Sequence, residues 1–203
     1  MIYKKELMAL AAALALAGCG AEEERPAAAP EASTSKQQNE QVAAQAEQET
    51  EAAPQLNEVD REFASSAFGS NIAHVQAARL AAEKTLSDDV RDFAQDAQKS
   101  HTAASEELMK MAQTMKFDLP TAPLAVYKED LQRLTMVTGP QHDRFYMDRF
   151  GIAAHEQTLA LYEREVREGK DGELKRFAER RIPVLRELLE RAKTVRTDID
   201  AGR

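Results

Sequence analysis

The sequence predicts an all-α fold: a bundle of four long helices with one long crossover between helices 2 and 3. Three observations predict it. Beyond residue 57, Ala, Glu, Leu, Arg and Lys dominate while Gly and Pro are sparse, a composition that favours helix over sheet. Apolar residues recur at three-four spacing in four successive segments, the pattern of a helix with one buried face. The links between those segments run short, long, short. Short links make antiparallel hairpins, and a long link lets the chain traverse the bundle.

Two segments precede the bundle. "MIYKKELMALAAALALAGCG" starts with Lys4 and Lys5 and continues into an apolar run from Leu7 to Ala17. That run is too short to span a bilayer comfortably, so residues 1–18 read as a signal peptide. The run ends in Leu16-Ala17-Gly18-Cys19, which resembles the lipobox of bacterial lipoproteins. The resemblance implies cleavage before Cys19 and lipid on its new N-terminus. The only cysteine of the chain stands there, so the mature chain has no partner for an internal disulfide. Several acyl chains on Cys19 suffice for stable membrane anchoring. Gly20 follows rather than Asp, and the sorting rule implied by the same resemblance then places the protein on the periplasmic face of the outer membrane. An ordinary signal peptide with an incidental cysteine is the alternative.

Residues 19–56 carry the lipidated Cys19 and then a low-complexity stretch rich in Ala, Glu, Gln, Pro and Ser. It has no aromatic residue, and eight Glu face only Arg25 and Lys36. Such a segment buries too little apolar surface to offset its ordering entropy, so it reads as a disordered acidic tether. The whole chain has a net charge of −8, which argues against a nucleic-acid partner.

Residues 57–203 form the predicted bundle. Helix 1 runs from about Asn57 to Thr85, with Phe63, Ala67, Ser70, His74, Ala77 and Ala81 on one face. "TLSDDV" ends it and supplies Ser87 as N-cap of helix 2. Helix 2 runs to about Lys116 with the stripe Val90, Ala94, Ala97, His101, Ala104, Leu108, Met111 and Met115. "FDLPTAP" stops it, since proline disfavours helix at and before its own position. A crossover of some twenty residues follows, with a short amphipathic helix in "LAVYKEDLQRLTMV". Helix 3 opens at "TGPQHD", where Pro140 sits in the first turn, and stops at Gly169. Its stripe reads Ile152, His155, Leu159, Tyr162 and Val166. Helix 4 begins after Asp171 with Leu174, Ala178, Leu185, Leu188, Ala192 and Val195 inward, and Pro183 is expected to kink it. If the crossover traverses the bundle, helix 3 runs parallel to helix 2, the ferritin-like arrangement. A plain up-down bundle is the alternative.

Three histidines then share a level. His74 and His101 each lie about 20 Å from the first hairpin turn, and His155 lies about 22 Å from the second, by helical rise. Ser70, Ala77, Ala97 and Ala104 leave room around them. Three neutral imidazoles in a protected layer suit zinc, copper or iron, and three protein ligands leave a fourth position open. Glu156 is the nearest candidate carboxylate, as ligand or as hydrogen-bond partner of a ligand. The competing reading is a buried core in which each histidine is simply hydrogen-bonded. A di-iron carboxylate centre needs paired Glu-x-x-His motifs. Gln98 precedes His101 and Ile152 precedes His155 by three residues, so that centre is not expected. His142 falls in the first turn of helix 3, away from the layer. Met111 and Met115 fit the core stripe better than a copper site.

The stretches "GSNIAHVQAARLAAEK", "VRDFAQDAQKSHTAASEEL", "GPQHDRFYMDRFGIAAHEQTLALYE" and "LKRFAERRIPVLRELLERA" together resemble the bacterial family called domain of unknown function 4142, ferritin-like helical proteins that are exported. The resemblance implies a four-helix bundle without an assigned activity. It also implies Glu at the place of His74, Asp-His at Ser100-His101 and at Ala154-His155, and His at the place of Leu188. This chain keeps two of the family's histidines, gains one, and loses one together with two acids. A metal ion in its layer would therefore lack charge compensation except from Glu156.

The sequence thus reads as an exported, lipid-anchored envelope protein whose bundle binds a transition metal through His74, His101 and His155. The alternative is a structural or interaction module of the envelope with inert histidines. A hydrolytic metalloenzyme ranks third, because no general base accompanies the layer beyond Glu156. Neither a protein partner nor a substrate is legible.

Overall fold

The computed structural model describes residues 56–202. The predicted leader, Cys19 and the tether up to residue 55 lie outside the described residues. α1 spans Glu58–Lys84. Asn57 Oδ1 accepts from the Asp60 amide at 2.8 Å, and Asp60 Oδ2 accepts from the Asn57 amide at 3.2 Å. This capping box satisfies two donors that a helix start leaves open. The predicted stripe from Phe63 to Ala81 is buried, joined by Asn71. α2 spans Asp88–Met115, and Ser87 caps it as expected by accepting from the Val90 amide at 3.3 Å. Its stripe is buried except that Ala112 takes the inward place of Met111, which packs at the margin.

The long link holds a 3₁₀ turn at Ala125–Tyr127 and α3 at Lys128–Met136. Lys84 donates to the carbonyls of Leu134 and Thr135, which ties α3 to the end of α1. Gly139, at φ 60°, turns the chain into Pro140; a side chain is strained in that left-handed backbone.

The third bundle helix differs from expectation. α4 (Pro140–Tyr146) passes into a π-helical segment at Met147–Ala153 before α5 (Ala154–Glu168). Nothing in the apolar periodicity predicts this wider stretch. Residues five apart align across it, and the inward face of α5 becomes Ala154, His155, Thr158, Tyr162 and Glu165. Leu159 and Val166, expected inside, pack at the edge of the core. α6 spans Gly172–Asp200; Asp171 caps it by accepting from the amides of Glu173 and Leu174, each at 2.9 Å. The helix continues through Pro183, and its six predicted apolar positions are buried.

Cross-helix contacts fix the directions. Asp60 at the start of α1 accepts from the amides of Lys170 and Asp171 beyond the end of α5, and Ser70 meets Thr158 at 3.0 Å. α1 is therefore antiparallel to the third bundle helix, as it is to α2. It follows that α2 and the third helix run parallel, as the one-crossover bundle requires. Arg191 pairs with Asp96 and Arg180 with Glu107, so α6 runs antiparallel to α2.

The interior divides into two apolar clusters. One gathers Ala77, Ala81, Val90, Phe93, Phe150 and Ala192; the other gathers Phe63, Ala67, Leu108, Tyr162, Phe177 and Leu185. In the second, Phe63 meets Tyr162 edge-on with ring centroids 4.9 Å apart, a favoured aromatic geometry. The histidines stand at the seam.

Candidate metal centre

α1, α2 and α5 bring His74, His101 and His155 together. All three are buried, and one ligand nitrogen from each lies within 4.8 Å of the other two. The small side chains of Ala97, Ala104 and Ser70 leave the space, because bulkier residues at the same level would fill the seam. Glu156 is not brought in. It follows His155 by one residue, turns about 100° around the helix, and is exposed, with Lys193 as its charged neighbour. His142 is buried elsewhere, its Nδ1 3.2 Å from Asp143 Oδ1.

Each of two rings is held from behind. His101 Nδ1 stands 2.8 Å from Asn71 Oδ1, and His155 Nδ1 stands 2.7 Å from the Phe150 carbonyl oxygen. The second contact spans five residues and exists because of the π-helical segment. A carbonyl only accepts, so His155 carries its proton on Nδ1 and presents a lone pair at Nε2. His101 Nε2 lies 3.3 Å away.

These heavy-atom positions are compatible with two proton arrangements. In one, Asn71 donates through its amide nitrogen to His101 Nδ1, His101 Nε2–H donates to His155 Nε2, and His155 Nδ1–H donates to Phe150. That chain is complete without an ion. In the other, Asn71 Oδ1 accepts from His101 Nδ1–H, and two Nε2 lone pairs face each other. Uncharged lone pairs in that position call for a cation. A half-turn of one amide interconverts the two, since amide oxygen and nitrogen have nearly the same shape.

The separations fit a metal unequally. Two nitrogens on a tetrahedral zinc stand about 3.3 Å apart, from Zn–N bonds of about 2.0–2.1 Å. His101 and His155 match this, with rings inclined by 57°. His74 does not yet converge. Its ring stacks on His101 with centroids 4.0 Å apart and planes only 8° apart. An imidazole binds metal in its own plane, so an ion in the plane of one ring lies off the plane of the other. His74 Nε2 has no hydrogen-bond partner among the described residues, and a turn of this ring out of the stack would complete the set.

The electrostatics favour neutral rings. Burial holds the His74 imidazole well below its ordinary pKa, His155 adds to this, and a backbone hydrogen bond to Ala154 opposes it. Burial likewise lowers His101, with further contributions from His74, His155 and Arg181. His155 is lowered to about 4 by burial, against the opposing backbone bonds to Phe150 and Gly151. Neutral imidazole is the ligating form. Arg181 acts the other way on a metal, as a cation beside the layer. It donates to Ser100 Oγ at 2.7 Å and to the Ser100 carbonyl at 3.1 Å.

Sequence reasoning misses Asn71, the Phe150 carbonyl and Arg181. Asn71 had a signal: it precedes His74 by three residues, a polar side chain on the inward side of α1. The carbonyl had none, since main-chain direction leaves no mark in the residue pattern.

The family model described as "Domain of unknown function (DUF4142)" matches residues 45–195. No curated protein matches the chain. Among solved structures, a DUF305 fragment from Deinococcus radiodurans is similar with a TM-score of 0.64 at 16% identity, over 71% of this chain and 99% of that one. A DUF305 protein from Streptomyces coelicolor is similar with a TM-score of 0.62 at 13% identity, over 70% and 92%. At such identities the likeness carries the helical fold alone.

Proposed function

The chain belongs to the family described as domain of unknown function DUF4142, and on that premise we propose that it is an envelope protein that binds a transition metal in its core. The observation that carries the reading is the facing of His101 Nε2 and His155 Nε2 at 3.3 Å, with His74 at hand. Each of the two rings is oriented by a hydrogen bond at its far nitrogen, the arrangement that ligating histidines have. Zinc, copper and iron all accept imidazole. Charge ranks them. Among the described residues the layer has no carboxylate, Arg181 stands beside it, and the cost of burying an ion grows with the square of its charge. Monovalent copper is therefore favoured over a divalent ion. Deep burial suits storage or transfer of the ion rather than hydrolysis, which needs an open position for water and substrate.

Export and anchoring belong to the same proposal and rest on the sequence. Cleavage before Cys19 and its lipidation would hold the bundle at the periplasmic face of the outer membrane, on the acidic tether.

A second reading has its own observation. The stacked His74 and His101, and a proton chain that closes without an ion, suit an inert core in a structural or interaction module.

Metal analysis of the full mature chain decides between them. After reconstitution with Cu(I), Zn(II) or Fe(II) and gel filtration, one ion per chain is expected, lost in His101→Ala and His155→Ala. No retained ion under any of the three conditions overturns the metal reading and leaves the module.

A further inference from the structure

The outer faces of α1 and α2 carry a feature that the histidine layer does not explain. Between them, roofed at one end by Leu119 to Thr121, runs an open groove of about 930 Å³. Phe68, Ile72, Val75 and Leu80 of α1, with Met109 of α2 and Leu119, make its walls apolar. From Phe68 to Leu80 it extends about 18 Å along the helix. Among the described residues Arg79 is the one charged side chain lining it. This guanidinium is exposed and has no ion-pair partner among the described residues, although Arg91, Arg149 and Arg196 all pair with acids. An apolar slot with one unpaired cation at its end is complementary to an anion with an apolar tail.

We propose that this groove binds a fatty-acid-type amphiphile, its alkyl chain along α1 and its carboxylate at Arg79. Pocket volume and lining are those of a small-molecule site. The charge pattern points to a small amphiphile: among the described residues a single cation at the end of an otherwise uncharged lining matches one carboxylate on an apolar tail. The tether of this chain is also a poor occupant, because its apolar residues are nearly all alanine and it carries eight Glu. None of the three histidines lines the groove, so the proposal stands apart from the metal reading.

The test is calorimetric titration of the full mature chain with dodecanoate, below its micelle concentration, and with dodecanol. One saturable site is expected. Arg79→Gln weakens dodecanoate about three- to fivefold, the fold-change of an exposed ion pair, and leaves dodecanol unchanged. Val75→Asp weakens both at least tenfold; Met109→Glu, at an exposed position, does the same where Val75→Asp fails to fold. Absence of saturable binding overturns the proposal, as does binding that neither Val75→Asp nor Met109→Glu reduces. Equal losses of dodecanoate and dodecanol in Arg79→Gln overturn the role of the carboxylate. Dimerisation that Met109→Glu reverses, or binding to phospholipid vesicles without binding of free dodecanoate, assigns the groove to another occupant.

Discussion

His101 Nε2 faces His155 Nε2 across 3.3 Å, and each ring is gripped at its other nitrogen, one by the Asn71 side chain and one by the Phe150 carbonyl. The grip decides which way the lone pairs point. Loss of Asn71 should therefore weaken a metal without removing any ligand. For Asn71→Ala we expect a loss of about 10–100-fold in affinity, the usual effect of deleting the hydrogen-bond partner of a ligating histidine. Asn71→Asp should bind more tightly than wild type, because a carboxylate can only accept from His101 and adds the missing negative charge. Competition with a chromophoric chelator measures both. Three equal affinities would mean that Asn71 does not orient the layer.

The metal-free layer should be sensitive to acid. His74, His101 and His155 all have folded pKa values below the unfolded value, held there by burial, by one another and, for His101, by Arg181. Folding then favours the neutral form. The stabilisation is complete above about pH 6.5, the unfolded value, and is lost as pH falls towards about 4. The urea midpoint of wild type relative to His155→Gln should shrink between pH 7 and pH 5. A constant difference would show that His155 does not titrate on unfolding.

Glu165 should give the opposite slope. It is buried, and its pKa is raised to about 8 by burial and by the nearby carboxylates of Asp60 and Asp171, against Lys175. Asp60 accepts from the amides of Asn57, Lys170 and Asp171, and Glu165 carries a proton below about pH 8. Stability from this group is full below about pH 4.5 and is lost as pH rises through about 8. Glu165→Gln should match wild type near pH 5 and be the more stable near pH 9. Denaturation curves that stay parallel across that range count against a protonated Glu165.

A core aromatic and a distant helix cap should contribute additively to stability. Phe177→Ala empties a fully buried site against Phe63 and Tyr162 and should cost about 3–5 kcal/mol. Ser87→Ala removes the cap on α2 and should cost about 1 kcal/mol. The sites lie roughly 30 Å apart by helical rise, so the double variant should lose their sum within about 0.5 kcal/mol. Chemical denaturation measures all three.

Most of the architecture was legible because helices report their buried face through a fixed period. The stripes of α1, α2 and α6, the Ser87 cap and the crossover follow from spacing and turn residues. The third helix was legible only in part. His155 and Tyr162 are inward as counted, but Thr158 and Glu165 are buried where Leu159 and Val166 were expected, because three-four spacing from His155 allows either set. Thr158 is buried against Ser70 of α1 and Glu165 beside Asp60, neighbours on a distant part of the chain. Glu156 looked available because it adjoins His155, but adjacency on a helix means facing another way.

By itself, the sequence determined that His74, His101 and His155 lie at one depth on inward faces. Rise per residue is a constant of the helix, so depth can be counted. Only the tertiary structure decided what the rings do at that depth: His155 turned by a main-chain oxygen, His101 held by Asn71, His74 laid flat against His101. Side-chain rotation and proton position depend on neighbours that other helices supply, and no count along one helix contains them.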